Sequence, residues 1–160
     1  MRNGLFLKIY EDTAARSRLG LTAGYIQHGS TSCLLHSIAV AYYCYRLSVR
    51  FGFLKLNKRE LIRGALLHDY FLYDWHDPGR PHLTHGFTHP GEALREAERD
   101  FSLNWIERDV IHRHMFPLTP IPPQTREGRL VSLADKISAV LETFGVPQEM
   151  RVIRLCRAVR

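Results

Sequence analysis

The sequence has few of the features that would place it in a membrane or in an oxidising compartment. No stretch approaches the roughly 18 consecutive apolar residues that a membrane-spanning helix needs. Residues 1–10 do not show the long apolar run and small-residue cleavage site of a secretory signal. The three cysteines are widely spaced and form neither a disulfide framework nor a CxxC motif. We therefore expect a cytoplasmic protein in which Cys33 and Cys44 are buried as small apolar side chains.

A dense patch of one charge is also missing, although the formal net charge of the 160 residues is +6. The last residues include a basic cluster of Arg151, Arg154, Arg157 and Arg160. Their spacing of three residues places them near one face of a helix. A solvated face or a contact with a partner explains this cluster better than nucleic-acid recognition. The overall charge suits a small anionic substrate. We expect no membrane or nucleic-acid partner, and a homodimer is left open.

Histidine, in contrast, is in excess. The chain has nine histidines, whereas average usage predicts roughly three or four at this length. Histidine is the commonest metal ligand and the side chain that titrates near neutral pH. The positions of these histidines are therefore the main clue to function.

Helical periodicity predicts one all-α domain, a helical bundle over residues 1–160. Residues from about 32 to 50 are apolar nearly all round, which predicts a buried central helix. No alternating strand pattern is visible. We expect the core to cover about residues 28–144, followed by a basic C-terminal helix over about 148–160.

Capping patterns predict the ends of the other helices. A helix begins after Asn57, where Glu60 would complete a capping box, and runs to about residue 72. A further helix runs from Pro90 to residue 100, capped by Thr88. Another begins at Asn104, where Glu107 repeats the capping pattern, and ends at about residue 115. Prolines exclude regular structure over residues 117–123. The last strong helix spans residues 128–144, with an apolar stripe through Leu130, Ala134, Ile137, Leu141 and Phe144.

The segment over residues 73–89 contains prolines and glycines, which predict a loop. It holds Arg80, His82 and His85, which either contact an anionic substrate or are solvated. His28, just before the central helix, is a further candidate for the mouth of a pocket. The residues alone leave these alternatives open.

The residues three, four and seven positions before His68 are apolar or small, and so are those before Asp69. On a helix, both side chains are therefore expected to face the core. An aspartate facing a core is costly unless it is paired or bound to a cation. No lysine or arginine lies three or four residues away except at the outer edge. A bound metal ion would offset the free-energy cost of this buried carboxylate.

Other helices also present a histidine or aspartate on an apolar side, which adds the candidates His36, His89, His114 and Asp135. Taken alone, His36 would be read as a core histidine, and His112 falls on a polar face. Imidazole and carboxylate together favour Fe or Mn, with Zn, Ni or Co as alternatives. Four histidines and two aspartates suit two divalent ions better than one, and Asp69 could bridge them.

The ordered pattern of His36, His68-Asp69 and Asp135 resembles the HD-domain superfamily of metal-dependent phosphohydrolases. The strings HSIAVAYY, GALLHD and LADKISA carry this resemblance, and THPGEAL and IHRHMFP resemble its binuclear subset, which includes the HD-GYP phosphodiesterases. The resemblance implies that His36, His68, Asp69 and Asp135 hold one metal. Asp69 would bridge to a second metal on His89 and His114. Lys136 would lie near the substrate phosphate, or be a solvent-facing lysine.

The chain departs from the HD-GYP pattern, because Ser32 stands in place of a glutamate, Met115 replaces a histidine, and no GYP tripeptide is present. Cyclic dinucleotide hydrolysis and a third metal are therefore not expected. The resemblance implies hydrolysis of a phosphate ester, such as a nucleotide or another small phosphorylated molecule, by metal-bound hydroxide. Asp69 and Lys136 would be the catalytic residues. The alternatives are an HD-type di-iron oxygenase and a non-catalytic module that senses a nucleotide.

Overall fold

A computed structural model describes residues 3–77 and 84–146 of the chain. The α-helices in these ranges are α1 (Gly4–Ala15), α2 (Cys33–Arg50), α3 (Lys58–Leu67), α4 (His85–Asp100), α5 (Trp105–Arg113) and α6 (Arg126–Thr143). Two short 3-10 helices cover Leu19–Gly24 and Gly52–Leu54. A short antiparallel hairpin pairs β1 (Ile26–His28) with β2 (Thr31–Ser32). The predicted all-α fold is confirmed, while α1 and the hairpin were not predicted. The described part of the chain contains no helix with the length and apolar character of a membrane span.

The central helix α2 lies where the sequence predicts it. The hydroxyl of Ser32 accepts a hydrogen bond from the backbone N–H of Leu35 at 3.3 Å, which caps its first turn. Val40 and Cys44 are fully buried in its middle. The helix packs against both α3 and α6. Burial of Cys33 and Cys44 is therefore confirmed, whereas Cys156 lies outside the described residues.

Helix α3 differs from its prediction at both ends. Asn57 is the N-cap, but its side chain makes no capping hydrogen bond, so the expected capping box with Glu60 is not formed. The backbone N–H of Asn57 instead donates to Oε1 of Glu127 at 2.7 Å, which ties α3 to α6. The helix ends at Leu67, and His68 is its C-cap residue.

Tyr70 explains why α3 stops short of residue 72. Its ring is fully buried, and its hydroxyl donates to Oδ2 of Asp100 on α4 at 2.5 Å. The same hydroxyl accepts from the backbone N–H of Arg18 at 2.6 Å. These contacts hold the chain after Asp69 outside the helix. The His68-Asp69 pair therefore lies at the end of a helix rather than inside one.

Helix α4 begins at His85 with Thr84 as its N-cap, so the predicted start at Pro90 with Thr88 as the cap is wrong. Pro90 lies inside the helix, where it cannot donate a backbone hydrogen bond. The first turns are held in another way, because Nδ1 of His89 donates to the carbonyl of His85 at 2.9 Å and the two rings stack. The predicted loop therefore ends several residues earlier than expected.

Helices α5 and α6 meet through Asp109. The predicted capping box of Asn104 and Glu107 at the start of α5 is confirmed. The carboxylate of Asp109 accepts hydrogen bonds from the backbone N–H of Thr125, at 2.8 Å, and from that of Gln124. The hydroxyl of Thr125 donates to the same carboxylate and also caps α6. Asp109 thereby fixes where α6 begins.

The apolar stripe predicted on α6 is only partly correct. Ala134 is buried, but Ile137 is 53% exposed and Phe144 is 82% exposed. Instead, α6 turns Asp135, Ser138 and Glu142 toward the interior. The helix ends as predicted, with Gly145 in a left-handed conformation at φ +72°. The predicted basic helix over residues 148–160 and its arginines lie outside the described residues.

Candidate metal centre

All six predicted ligands meet in one buried cluster. His36 lies in the first turn of α2, His68 and Asp69 follow α3, His89 lies in α4, His114 follows α5, and Asp135 lies in the middle of α6. Each is buried. Five helices therefore converge on a single buried polar centre. His112, which the sequence placed on a polar face, is exposed as expected.

Three of the histidines are held in the same way. In each, Nδ1 donates to a backbone carbonyl of the preceding helical turn: His68 to Ala65 at 2.7 Å, His89 to His85 at 2.9 Å, and His114 to Ile111 at 2.8 Å. A neutral imidazole with its proton on Nδ1 keeps a lone pair on Nε2. The backbone therefore selects the tautomer in which Nε2 can bind a metal ion.

Asp69 lies between two histidine pairs. Its Oδ1 atom is 3.2 Å from Nε2 of His89 and 3.4 Å from Nε2 of His114. Its Oδ2 atom is 3.4 Å from Nε2 of His68 and 3.7 Å from Nε2 of His36. Each oxygen of one carboxylate therefore faces a different pair of ring nitrogens.

Asp135 completes the side of the centre that is formed by α2 and α3. Its Oδ1 atom lies 3.0 Å from Nε2 of His36 and 3.6 Å from Nε2 of His68. Ligand atoms lie within 4.8 Å of one another in three groups, which are His36–His68–Asp69, Asp69–His89–His114 and His68–His114–Asp135. The first two groups share Asp69.

Several features of the centre fit a cation. Nε2 of His68 and Oδ1 of Asp69 are buried and have no hydrogen-bond partner in the described part of the chain. Nε2 of His89 and Nε2 of His114 are 2.9 Å apart, although both Nδ1 atoms face carbonyl acceptors. Two lone pairs at that distance repel unless a positive charge lies between or beside them. Imidazole and carboxylate donors of this kind suit divalent transition metals.

The charges of the centre lead to the same conclusion. Burial opposes ionisation of Asp69 and Asp135, but the surrounding histidines hold the pKa of both carboxyls well below its usual range. Burial also opposes a charge on His36, yet its hydrogen bonds with Asp135 and Glu142 raise the pKa of His36 to about 10. The buried carboxylates thus attract a positive charge to Nε2 of His36. A metal ion at that position would replace the proton.

Two further residues bind the predicted ligands and were missed from the sequence. Both carboxylate oxygens of Glu142 lie close to Nδ1 of His36, at 2.9 and 3.1 Å. The amide of Gln27 donates to Oδ2 of Asp69 at 2.5 Å, and the thiol of Cys33 donates to the carbonyl oxygen of Gln27 at 3.2 Å. Glu142 lies seven residues after Asp135, so helical periodicity could have identified it. Gln27 lies in the hairpin, for which the sequence has no pattern.

A cavity of about 620 Å³ opens onto the centre, with Asp69, His89, His114 and Asp135 among its lining residues. His28 also lines it, and its ring meets that of His36 edge to face, with 5.4 Å between centroids. His85, assigned to a loop from the sequence, lies on α4 and lines the cavity stacked on Trp75. Arg80 and His82 lie outside the described residues.

Lys136 lines the same cavity but is engaged by the protein. Its Nζ atom donates to the carbonyl of His114 at 2.7 Å and to the hydroxyl of Ser132 at 3.2 Å. It lies 3.8 Å from Oδ2 of Asp135. Burial lowers the pKa of Lys136. The ammonium group therefore holds the turn that carries His114, while its expected place beside a substrate phosphate stays a prediction.

Comparison with known protein families matches residues 34–140 to the HD domain, a range that contains all six clustered residues. The chain therefore belongs to the HD domain family. HD domains bind divalent metals, and the family points to metal-dependent hydrolase-type chemistry in general. No curated protein and no solved structure matches the chain.

Proposed function

We propose that this protein is a metal-dependent phosphohydrolase that uses two divalent transition metal ions, Fe or Mn foremost, to cleave a small phosphate ester. The observation that carries the proposal is the position of Asp69 between two buried histidine pairs, with one oxygen toward each. A single shared carboxylate is the usual means of keeping two ions close together. Membership of the HD domain family supports the same chemistry.

In this proposal His36, His68 and Asp135 hold one ion, His89 and His114 hold the other, and Asp69 contacts both. Two divalent ions at such a site would lower the pKa of a bound water and stabilise the charge that develops on a phosphoryl group. Five of the six donors have an orientation that is fixed before binding, through backbone carbonyls, Glu142 and Gln27. This preorganisation avoids a reordering cost during the reaction.

Hydrolysis forms one bond from a water oxygen to phosphorus and breaks the ester P–O bond. The alcohol leaves with a proton, and the phosphate keeps the water oxygen. His28 faces the cavity from β1, and burial lowers the pKa of His28, so the imidazole is neutral at neutral pH. A neutral imidazole can accept the proton that the attacking water loses and then, as the imidazolium, donate it to the leaving oxygen. Lys136 also faces the cavity, and its positive charge would stabilise a bound phosphate.

The whole domain would form one hydrolytic unit with a small anionic molecule as its substrate. A cavity of about 620 Å³ has the size of pockets that enclose a small organic ligand. The formal net charge of +6 would favour approach of an anion. The size of the cavity and its position over the centre therefore support a small phosphorylated molecule over a polymer.

The test is phosphate release from a panel of phosphate esters by protein loaded with Mn or Fe, with oxygen uptake measured in parallel. We expect phosphate release without oxygen uptake. His114→Ala should abolish it, while replacement of the exposed His112, two residues earlier, with Ala should retain it. Oxygen uptake with a di-iron signal would assign the centre to oxidation instead. No turnover of any ester by fully loaded protein would reject the hydrolase.

A further inference from the structure

The floor and the walls of the cavity differ in chemistry. The floor is the candidate metal centre, which presents Asp69, His89, His114 and Asp135. The walls above it are formed largely by apolar side chains, namely Trp75, Met115, Pro117, Leu118 and Ala139. Ala139 lies one turn after Asp135 on α6, so the change from polar to apolar occurs within one turn of helix. A ligand with its phosphate on the floor must place its organic group against these walls.

Three polar groups on the described walls, those of Gln27, Lys136 and Trp75, are already engaged by the protein. The amide of Gln27 is bonded to Asp69 and Cys33. The ammonium of Lys136 is bonded to the carbonyl of His114 and to Ser132. The indole N–H of Trp75 donates to the carbonyl of Ile26 at 3.0 Å. A ligand would gain few new hydrogen bonds from these groups without first breaking existing ones.

Leu118 forms the rim of the apolar wall. It is 46% exposed, so it meets both the solvent and the cavity. A Cβ atom on Gly86 would lie only 2.7 Å from Cδ2 of Leu118, which shows how closely the side chain packs against the start of α4. An apolar group entering the cavity would cover the exposed part of Leu118 and release the water around it.

We propose that the substrate is a phosphomonoester of an apolar alkyl or aryl alcohol, with its phosphate on the metal centre and its organic group along the Trp75–Leu118 wall. The identity of the phosphate rests on the function proposed above, whereas the apolar group rests on the wall alone. A nucleotide or sugar phosphate would instead bury hydroxyl and base atoms that need hydrogen-bond partners. Such unpaired polar atoms are disfavoured where they lie against an apolar wall.

Binding can be measured apart from turnover with alkylphosphonates, which lack the ester bond. Isothermal titration calorimetry on Mn-loaded protein should show affinity rising about two- to fourfold for each methylene added from methyl- to hexylphosphonate. The rise should stop when the chain reaches the rim. An affinity that does not change with chain length would overturn the proposal.

Leu118→Asn provides a variant test at a position that is partly exposed and so tolerates a polar side chain. It should lower the affinity for hexylphosphonate at least fivefold and leave methylphosphonate within twofold of the original protein. The matched control is Ile121→Asn, on the same segment and 55% exposed but not part of the cavity lining, and it should change neither affinity. Equal affinities of the two variants for hexylphosphonate would contradict the assignment of Leu118 to the wall that binds the organic group.

Turnover separates this inference from the proposed function. Phosphate release from hexyl phosphate should exceed release from glucose 6-phosphate and AMP at least tenfold in kcat/KM. An equal or reversed order would overturn the apolar substrate but keep the hydrolase. Chain-length-dependent binding of the phosphonates without hydrolysis of any ester would support the apolar wall and reject the hydrolase.

Discussion

Nδ1 of His36 lies 2.9 Å from Oε2 of Glu142, and the opposite ring nitrogen lies 3.0 Å from Oδ1 of Asp135. Both carboxylates belong to α6 and are two helical turns apart, so one imidazole from α2 is held between them. A carboxylate behind a ligating histidine fixes the orientation of its ring and raises its basicity. Glu142 is therefore a positioning residue for the ion that we assign to His36.

Replacing Glu142 with Gln should weaken metal binding on the His36 side about 10- to 100-fold, as is typical for residues behind a metal ligand. The amide can still accept from Nδ1, but it lacks the negative charge. The affinity can be measured by competition with a chelator of known strength. Glu127→Gln is the matched control, because Glu127 is a buried glutamate on the same helix that bonds to Asn57. Equal affinities in the two variants would show that Glu142 has no such role.

Asp69→Ala should remove both ions, because its two oxygens face the two histidine pairs. His68→Ala and His89→Ala should each deplete one side of the centre and leave metal on the other. Elemental analysis of the purified variants, expressed as metal per chain, distinguishes these outcomes. Asp69→Ala protein that retained two metals per chain would show that the ligand assignment is wrong.

Gly64→Ala should destabilise the fold through overpacking. A Cβ atom at Gly64 would lie 2.9 Å from Cγ1 of Val110, where α3 packs on α5. Such overpacking costs about 1–3 kcal/mol, against a gain of about 1 kcal/mol in helix propensity. Urea unfolding should show a net loss, and a Val110→Ala replacement in the same chain should recover part of it. Gly91→Ala in α4, where nothing lies within 4 Å, should be neutral or stabilising.

Asp109→Asn should reduce stability at pH 7 by about 1.5–3 kcal/mol, because it replaces a charged acceptor of several hydrogen bonds. Burial opposes the charge of Asp109, but Thr125, Gln124 and Arg113 hold its pKa below the usual value. The unfolded pKa is about 3.9, so this stabilisation is complete above that value and declines as the pH falls through the folded pKa. Urea unfolding of both proteins between pH 7 and pH 3 should show the difference shrinking below about pH 4. A difference that did not change with pH would exclude the carboxylate charge as its source.

The sequence was sufficient to identify the six clustered residues, because five of them share the apolar side of a predicted helix and His89 stands at a predicted helix start. His68 and Asp69 illustrate this, since both are buried as the spacing of their neighbours indicated. The distances between the residues and the sharing of Asp69 depend on how five helices pack. Helix packing is set by contacts between distant residues, which periodicity within one helix does not describe.

The errors have local physical causes. Helix α4 starts five residues before Pro90, because stacked rings and a side-chain hydrogen bond hold its first turns. The prediction of a start at Pro90 considered only the missing backbone N–H of proline. Helix α3 ends early because Tyr70 is bonded to Asp100, a residue 30 positions away. Ile137 and Phe144 of α6 were predicted to face the core, but this helix turns its polar face inward, toward the metal centre. The errors at α3 and α6 therefore reflect contacts between separate elements, and the error at α4 reflects a side-chain contact within the helix.

The position of Asp69 also has a thermodynamic consequence. Because one carboxylate faces both histidine pairs, an ion bound on one side would withdraw electron density from the oxygen that faces the other side and add a positive charge nearby. With two ions bound as proposed, the two binding equilibria would be coupled, and by linkage each ion would change the affinity of the other by the same factor. A metal titration of this protein should therefore give two stepwise binding constants. The free energy of interaction between the two ions should depend on Asp69.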